Sequence, residues 1–149
     1  MTLHPLRLLA GIAITAVACR AGAQTRDPLV DAAAAPGAVK TASGAIVRIL
    51  RQGQGASPKA DDEVRVNYRG AFTDGRVFDS SYVRGAPATF HLDRVIRCWT
   101  EGLQLMKVGG RALLTCPSWT AYGETGNKSG TIPGETTLVF DVELLGIVK

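Results

Sequence analysis

Histidine is nearly missing from this chain: 149 residues contain only His4 and His91. Zinc takes three or four protein nitrogen and sulfur ligands, so an isolated His91 cannot complete a site. Cysteine is almost as scarce, at three residues with no CxxC pair, which removes the usual thiol redox centre. No apolar run approaches the ~20 residues that span a bilayer. The segment "GETGNKSG" has the look of a phosphate loop but lacks the GxxxxGK[ST] spacing and a following helix. No internal repeat is present. The formal charge of +4 and pI near 9.2 suggest a nucleic-acid partner, yet the basic residues form no stripe. What remains is 46% apolar and 20% charged, with 17 glycines, the composition of an ordinary globular protein rich in turns and strands.

The N-terminus reads as a separate segment. Arg7 gives a positive start, Leu8 to Ala18 is an unbroken run of eleven apolar or small residues, and "CRAGAQ" follows. These are the three parts of a secretory signal peptide, with "AGA" at 21–23 placing the cut before Gln24. "AVAC" at 16–19 offers an alternative, a bacterial lipoprotein box with Cys19 lipidated, although Ala16 stands where such boxes usually have Leu. Either reading exports the protein to the periplasm, and only lipidation at Cys19 would tie it to a membrane. Losing residues 1–23 removes Arg7 and Arg20 and lowers the net charge from +4 to +2, which weakens the nucleic-acid reading further. Residues 24–43 are Ala-rich, interrupted by proline and poor in large apolar side chains, so they are expected to form a flexible linker. The folded domain is expected over 44–149.

Within that domain, "AIVRIL" (45–50), "EVRVNYRGAF" (63–72), "VFD" (77–79), "ATFHL" (88–92), "RALLTCP" (111–117) and "TTLVFDVELLGIVK" (136–149) carry strand patterns. "TDGR" is a hairpin turn, "SSYVRGAP" (80–87) a loop or bulge, and 118–135 a long Gly-rich loop of the kind that usually serves function. Trp99, Leu103 and Met106 follow a helical period that ends at "KVGG", giving one short helix. The fold class is therefore α+β, a curved antiparallel sheet around a single helix.

Four segments, "VNYRGAFTDGRVFDSS", "VIRCWTEGLQLMKVGGRALLTCP", "AYGETG" and "IPGETTLVFDVELL", stand in an order and spacing that resemble the FKBP-type peptidyl-prolyl isomerases. "SYVRGAPATFHLDRVI" is most similar to the exported bacterial branch, including the macrophage infectivity potentiator proteins, whose N-terminal helical dimerisation region finds no counterpart in these residues. The resemblance covers essentially all of 44–149. It implies catalysed rotation about Xaa-Pro bonds in unfolded or nascent exported proteins, macrolide FKBP ligands as further occupants of the cleft, and no cofactor or metal. A client-binding chaperone module using the same cleft without catalysis is the alternative.

The resemblance also assigns residues. Trp99 becomes the floor under the proline ring, with Tyr68, Phe78, Phe90, Val95, Ile96, Ile132 and Phe140 as apolar walls. Ile96 is expected to offer its backbone N–H, and Tyr122 its hydroxyl, to the substrate. "FDSS" alone is ordinary turn chemistry. In the family the Asp79 carboxylate borders the pocket and polarises it, with Arg84 as ion partner, and no proton need pass through it. Ala88 replaces a pocket aromatic of some relatives, Lys128 and Ser129 lengthen the loop, Thr131 replaces an apolar residue, and Trp119 adds an aromatic for client contact or for packing. Cys98 and Cys116 remain as an even pair in an exported protein, which suggests a disulfide. Two free buried thiols, or a redox-cycling pair, are the other readings.

Overall fold

The computed structural model describes residues 26–149. The expected signal peptide over 1–23, its lipoprotein alternative at Cys19, and His4 lie outside the described residues. The alternating pattern of "EVRVNYRGAF" becomes β3 (Glu63–Phe72), with Val64, Val66, Tyr68 and Gly70 buried between outward polar neighbours. The closing strand β7 (Leu138–Val148) repeats the pattern, burying Leu138, Phe140, Val142 and Leu144. These two long strands pair antiparallel along nearly their whole length and form the centre of one seven-stranded sheet. On one side follow β6 (Arg111–Cys116), β2 (Ile46–Arg51) and the short β1 (Ala38–Lys40). On the other side β4 (Val77–Ser80) and β5 (Ala88–His91) share the far edge of β3, one pairing with Arg69–Ala71 and the other with Glu63–Val66.

The edge of β3 is thus split, and residues 80–87 cross the gap. Expected as a loop or bulge, they contain a one-turn helix, α2 (Ser81–Arg84), opened by the Ser80 side chain and closed by Gly85 in the left-handed region. Ser81, fully buried, fills the gap in the ladder. Its hydroxyl accepts from the Tyr68 N–H at 2.8 Å and donates to Asn67 Oδ1 at 3.0 Å. A backbone group that would otherwise lack a strand partner is satisfied by a side chain.

The sheet curves around α3 (Arg97–Gln104), which buries Cys98, Trp99, Gly102 and Leu103 against it. The helix lies very close to β6 because Gly102 has no side chain. A Cβ there would stand 2.6 Å from Leu114 Cδ2.

The linker expected over 24–43 is corrected in its described part. Residues 28–34 form α1 (Pro28–Ala34), with Asp27 Oδ1 accepting from the Leu29 N–H at 2.9 Å and Pro28 in the first turn. After Gly37, β1 adds itself to the edge of β2, so the ordered unit begins before Gly44. Composition reports on burial alone, and α1 indeed buries none of its residues. Capping and backbone pairing order this segment instead. The loop at 118–135 likewise contains a 3-10 turn at Ser118–Thr120 and a closed turn in which Asn127 N–H donates to Ile132 O.

Cys98 at the start of α3 and Cys116 at the end of β6 are joined by a disulfide, with Cα atoms 5.7 Å apart and both residues buried. Linking residues 18 apart removes loop-closure entropy from the unfolded chain worth about 3 kcal/mol. Reduction should therefore lower the denaturant midpoint by a matching amount, measured by guanidinium unfolding with and without dithiothreitol. An unchanged midpoint in protein verified by mass as fully reduced would refute this.

Candidate functional site

A cavity of about 120 Å³ opens between α3, β3, β4 and the loop after β6. An apolar cavity of ~150 Å³ admits benzene, and drug-sized pockets begin near ~300 Å³, so this one suits a single small ring. Trp99 lies at its base, 4% exposed. Tyr68, Phe140 and Phe90 meet the indole edge-on, with ring centroids 5.1, 5.4 and 5.5 Å away and planes near perpendicular. Such edge-to-face pairs each add ~0.5–1.5 kcal/mol beyond their burial and fix the rings relative to one another. The indole Nε1 is buried and has no hydrogen-bond partner among the described residues.

Two side chains reach the cavity because a strand is irregular. Opposite Gly70 and Ala71 of β3 stand Asp79 and Val77, leaving Phe78 as an extra residue in β4. Neighbours in a regular strand point to opposite faces, whereas a bulge re-aims them. Phe78 and Asp79 consequently both line the cavity. Gly70 makes space for this arrangement: a Cβ there would fall 2.7 Å from Phe78 and 2.8 Å from Phe140. The two rings close over it edge to face, 5.6 Å apart.

Tyr68, Asp79 and Arg84 pair with one another at the polar side of the cavity. Tyr68 Oη donates to Asp79 Oδ2 at 2.5 Å, and Arg84 Nη1 donates to Asp79 Oδ1. Arg84 Nη2 also donates to Tyr68 Oη at 2.9 Å. Both carboxylate oxygens of Asp79 are thus engaged, which holds the group in one position at the rim. Val95 and Ile96, entering α3, form another wall, and the Ile96 carbonyl accepts from Trp99 and Thr100 N–H groups. Tyr122 borders the cavity on the loop and is partly open to solvent. The structure thus brings together Tyr68, Phe78, Asp79, Phe90, Val95 and Ile96 with Trp99, Tyr122 and Phe140. It sets Ile132 apart. That side chain is buried in the core and is absent from the cavity lining, and its N–H donates to Asn127 Oδ1 at 2.9 Å. Ile132 anchors the loop from below.

The first turn of α3 is tied on three sides around Trp99. Cys98 is bonded to β6, Thr100 Oγ1 donates to Leu92 O at 2.5 Å, and Glu101 Oε2 accepts from Ser43 Oγ at 2.5 Å. Sequence reasoning missed Gly70, Ser81, Ser43 and Glu101. The doubled serine of "FDSS" was the one available signal, and it pointed only to a turn. Among the described residues no group of histidine, cysteine and acidic side chains is arranged to hold a metal.

The family model described as FKBP-type peptidyl-prolyl cis-trans isomerase matches residues 54–145. The FKBP-type peptidyl-prolyl cis-trans isomerase FkpA of Aeromonas hydrophila is 53% identical over 113 residues, covering 76% of this chain and 41% of that protein. A macrophage infectivity potentiator of Trypanosoma cruzi is 48% identical over 116 residues, covering 77% of this chain and 59% of that one. The crystal structure of FkpA from Escherichia coli superposes with a TM-score of 0.76 at 44% identity, covering 80% of this chain and 55% of the other. This chain spans about 40% of the length of the FkpA proteins it matches.

Burial raises the hydroxyl pKa of Tyr68, helped by its hydrogen bond to Asp79. Burial and then the Asp79 charge raise Tyr122, and burial raises Tyr82. Folded tyrosines that hold their protons above the ordinary value near 10 stabilise the fold below that pH, and the contribution is lost as pH rises through the raised values. Tyrosinate absorbance should therefore appear at higher pH in the folded protein than in the same chain unfolded in guanidinium. Earlier ionisation in an intact fold would contradict the burial argument.

Proposed function

The chain belongs to the family of FKBP-type peptidyl-prolyl cis-trans isomerases, and from that premise we propose that it catalyses rotation about Xaa-Pro bonds of exported proteins in the cavity above Trp99. The uncatalysed rotation crosses a barrier of ~18–20 kcal/mol and takes tens of seconds. At the top of that barrier the amide has lost resonance, and with it the charge separation between oxygen and nitrogen. A dry, apolar surrounding therefore favours the twisted amide over the planar one. Since the barrier is conformational, no bond breaks and no proton must move.

The observation that carries this reading is the box of rings around Trp99, closed on its polar side by a carboxylate whose oxygens are already bonded. Trp99 takes the proline ring, and Tyr68, Phe78, Phe90, Val95 and Phe140 exclude water from it. The Ile96 N–H and the Tyr122 hydroxyl grip carbonyls of the flanking peptide, fixing the chain on either side of the bond that turns. Asp79 polarises the rim, and Arg84 holds it in place. Only contacts stronger in the twisted state raise the rate, and each ~1.4 kcal/mol of such preference is tenfold. Export to the periplasm is supported by the signal-peptide pattern of residues 1–23 and by the buried Cys98–Cys116 disulfide, which suits an oxidising compartment.

The test is a protease-coupled assay on a Leu-Pro peptide. The domain should accelerate isomerisation, Asp79→Val should lower kcat/KM by about tenfold with a smaller effect on stability, and Trp99→Leu should weaken peptide binding by at least that factor. No acceleration by the parent, with client-holding activity intact, would leave a binding module in place of an enzyme.

A further inference from the structure

We propose that the turn at residues 41–45 is a clasp that positions the floor and the rim of the pocket together, with Ser43 as its node and Glu101 and Trp119 as its anchors. The proposal rests on the isomerase reading for its kinetic consequence but not for its geometry. The turn is tight: Thr41 N–H donates to Ala45 O at 2.8 Å, and Gly44 N–H donates to Thr41 O at 3.0 Å. From it, Ser43 makes bonds in two directions. Its hydroxyl donates to Glu101 Oε2 at 2.5 Å, with its N–H at 3.4 Å from the same oxygen. Its carbonyl accepts from Trp119 Nε1 at 2.7 Å.

Each anchor sits beside a pocket residue. Glu101 follows Trp99 by two positions on α3, so a shift of this carboxylate turns the helix that carries the floor. Trp119 belongs to the turn that carries Tyr122, closed by Ala121 N–H and Gly123 N–H donating to Ser118 O at 2.9 and 2.8 Å. The indole ring of Trp119 is 66% exposed, yet its one polar atom is committed to Ser43. Gly44 is fitted to this contact. Its φ is +99°, and a Cβ there would stand 3.3 Å from Trp119 Nε1. A segment that composition marks as a linker therefore ends in a residue that joins α3 to the 118–122 turn, a second tie beside the Cys98–Cys116 disulfide.

Ser43 and Glu101 are positioning residues in this account, since neither touches the cavity. Steady-state KM and kcat on a Leu-Pro peptide, and the 19F resonance of Trp99 in 5-fluorotryptophan-labelled protein, test the clasp. The Trp99 and Trp119 signals are told apart with Trp119→Phe. Ser43→Ala and Glu101→Ala should each raise KM about threefold to tenfold with kcat within about twofold, and the double variant should be no worse than either single. Glu101→Gln, whose amide oxygen still accepts the serine hydroxyl, should stay within about twofold of the parent. The Trp99 resonance should move in the alanine variants and not in the glutamine variant. An unmoved resonance in Ser43→Ala, or additive losses in the double variant, overturns the clasp. If the parent does not accelerate the peptide at all, the isomerase reading falls instead. The resonance, which needs no turnover, then decides the clasp alone.

Discussion

Four consecutive side chains at the start of α3 leave the helix in four directions, about 100° apart, and three of them are fastened. Cys98 is covalently held to β6, Thr100 is bonded to the carbonyl of Leu92, and Glu101 is bonded to Ser43. The fourth is Trp99. A helix of eight residues has little intrinsic stability in water, so its place is set by what holds it rather than by its own propensity. Gly102 completes the arrangement by letting the next turn rest directly on Leu114. The indole is thereby offered to the cavity at a fixed height and tilt, and the perpendicular rings of Tyr68, Phe90 and Phe140 leave it few other orientations.

The opposite wall is built by departures from regular sheet. The extra residue in β4 brings an aromatic ring and a carboxylate to the same side, and Gly70 gives the ring its space. Ser81 repairs the hydrogen bonding that the interrupted edge would otherwise leave open. The pairing continues outward, from the buried Ser81 and Tyr68 to the partly exposed Asp79 and the exposed Arg84. A rim built this way holds its carboxylate in one position at the mouth of the cavity.

The α+β fold, with its curved antiparallel sheet and short helix, was legible because β3 and β7 alternate cleanly and Trp99 and Leu103 mark the buried face of the helix. That helix ends at Gln104, short of the Met106 that the period included. Residues 28–40 were not, because their order comes from a cap at Asp27 and backbone pairing to β2, neither of which shows in hydropathy. The α2 turn was hidden for a similar reason: four residues between Ser80 and Gly85 leave no room for a period. Asp79 and Phe78 are neighbours in sequence, and nothing in "VFDSS" reveals a bulge, since register is a property of two strands. Ile132 stands apart from the cavity because the loop turns at Asn127 and drops it into the core, a bend fixed by a hydrogen bond between residues five apart. Ser43 and Glu101 lie 58 positions apart, and no pattern within either segment links them.

The split edge of β3 has a consequence beyond the pocket. The two long strands of the sheet are interior, whereas the strands at its borders, β1, β4 and β5, run for only three or four residues each. An exposed strand edge is a template on which another extended chain can polymerise. The activity proposed above would bring the protein among unfolded polypeptides, where such chains are met continually. Short borders, one interrupted by a serine that has already claimed the free backbone group, let it handle sticky chains without itself seeding their aggregation.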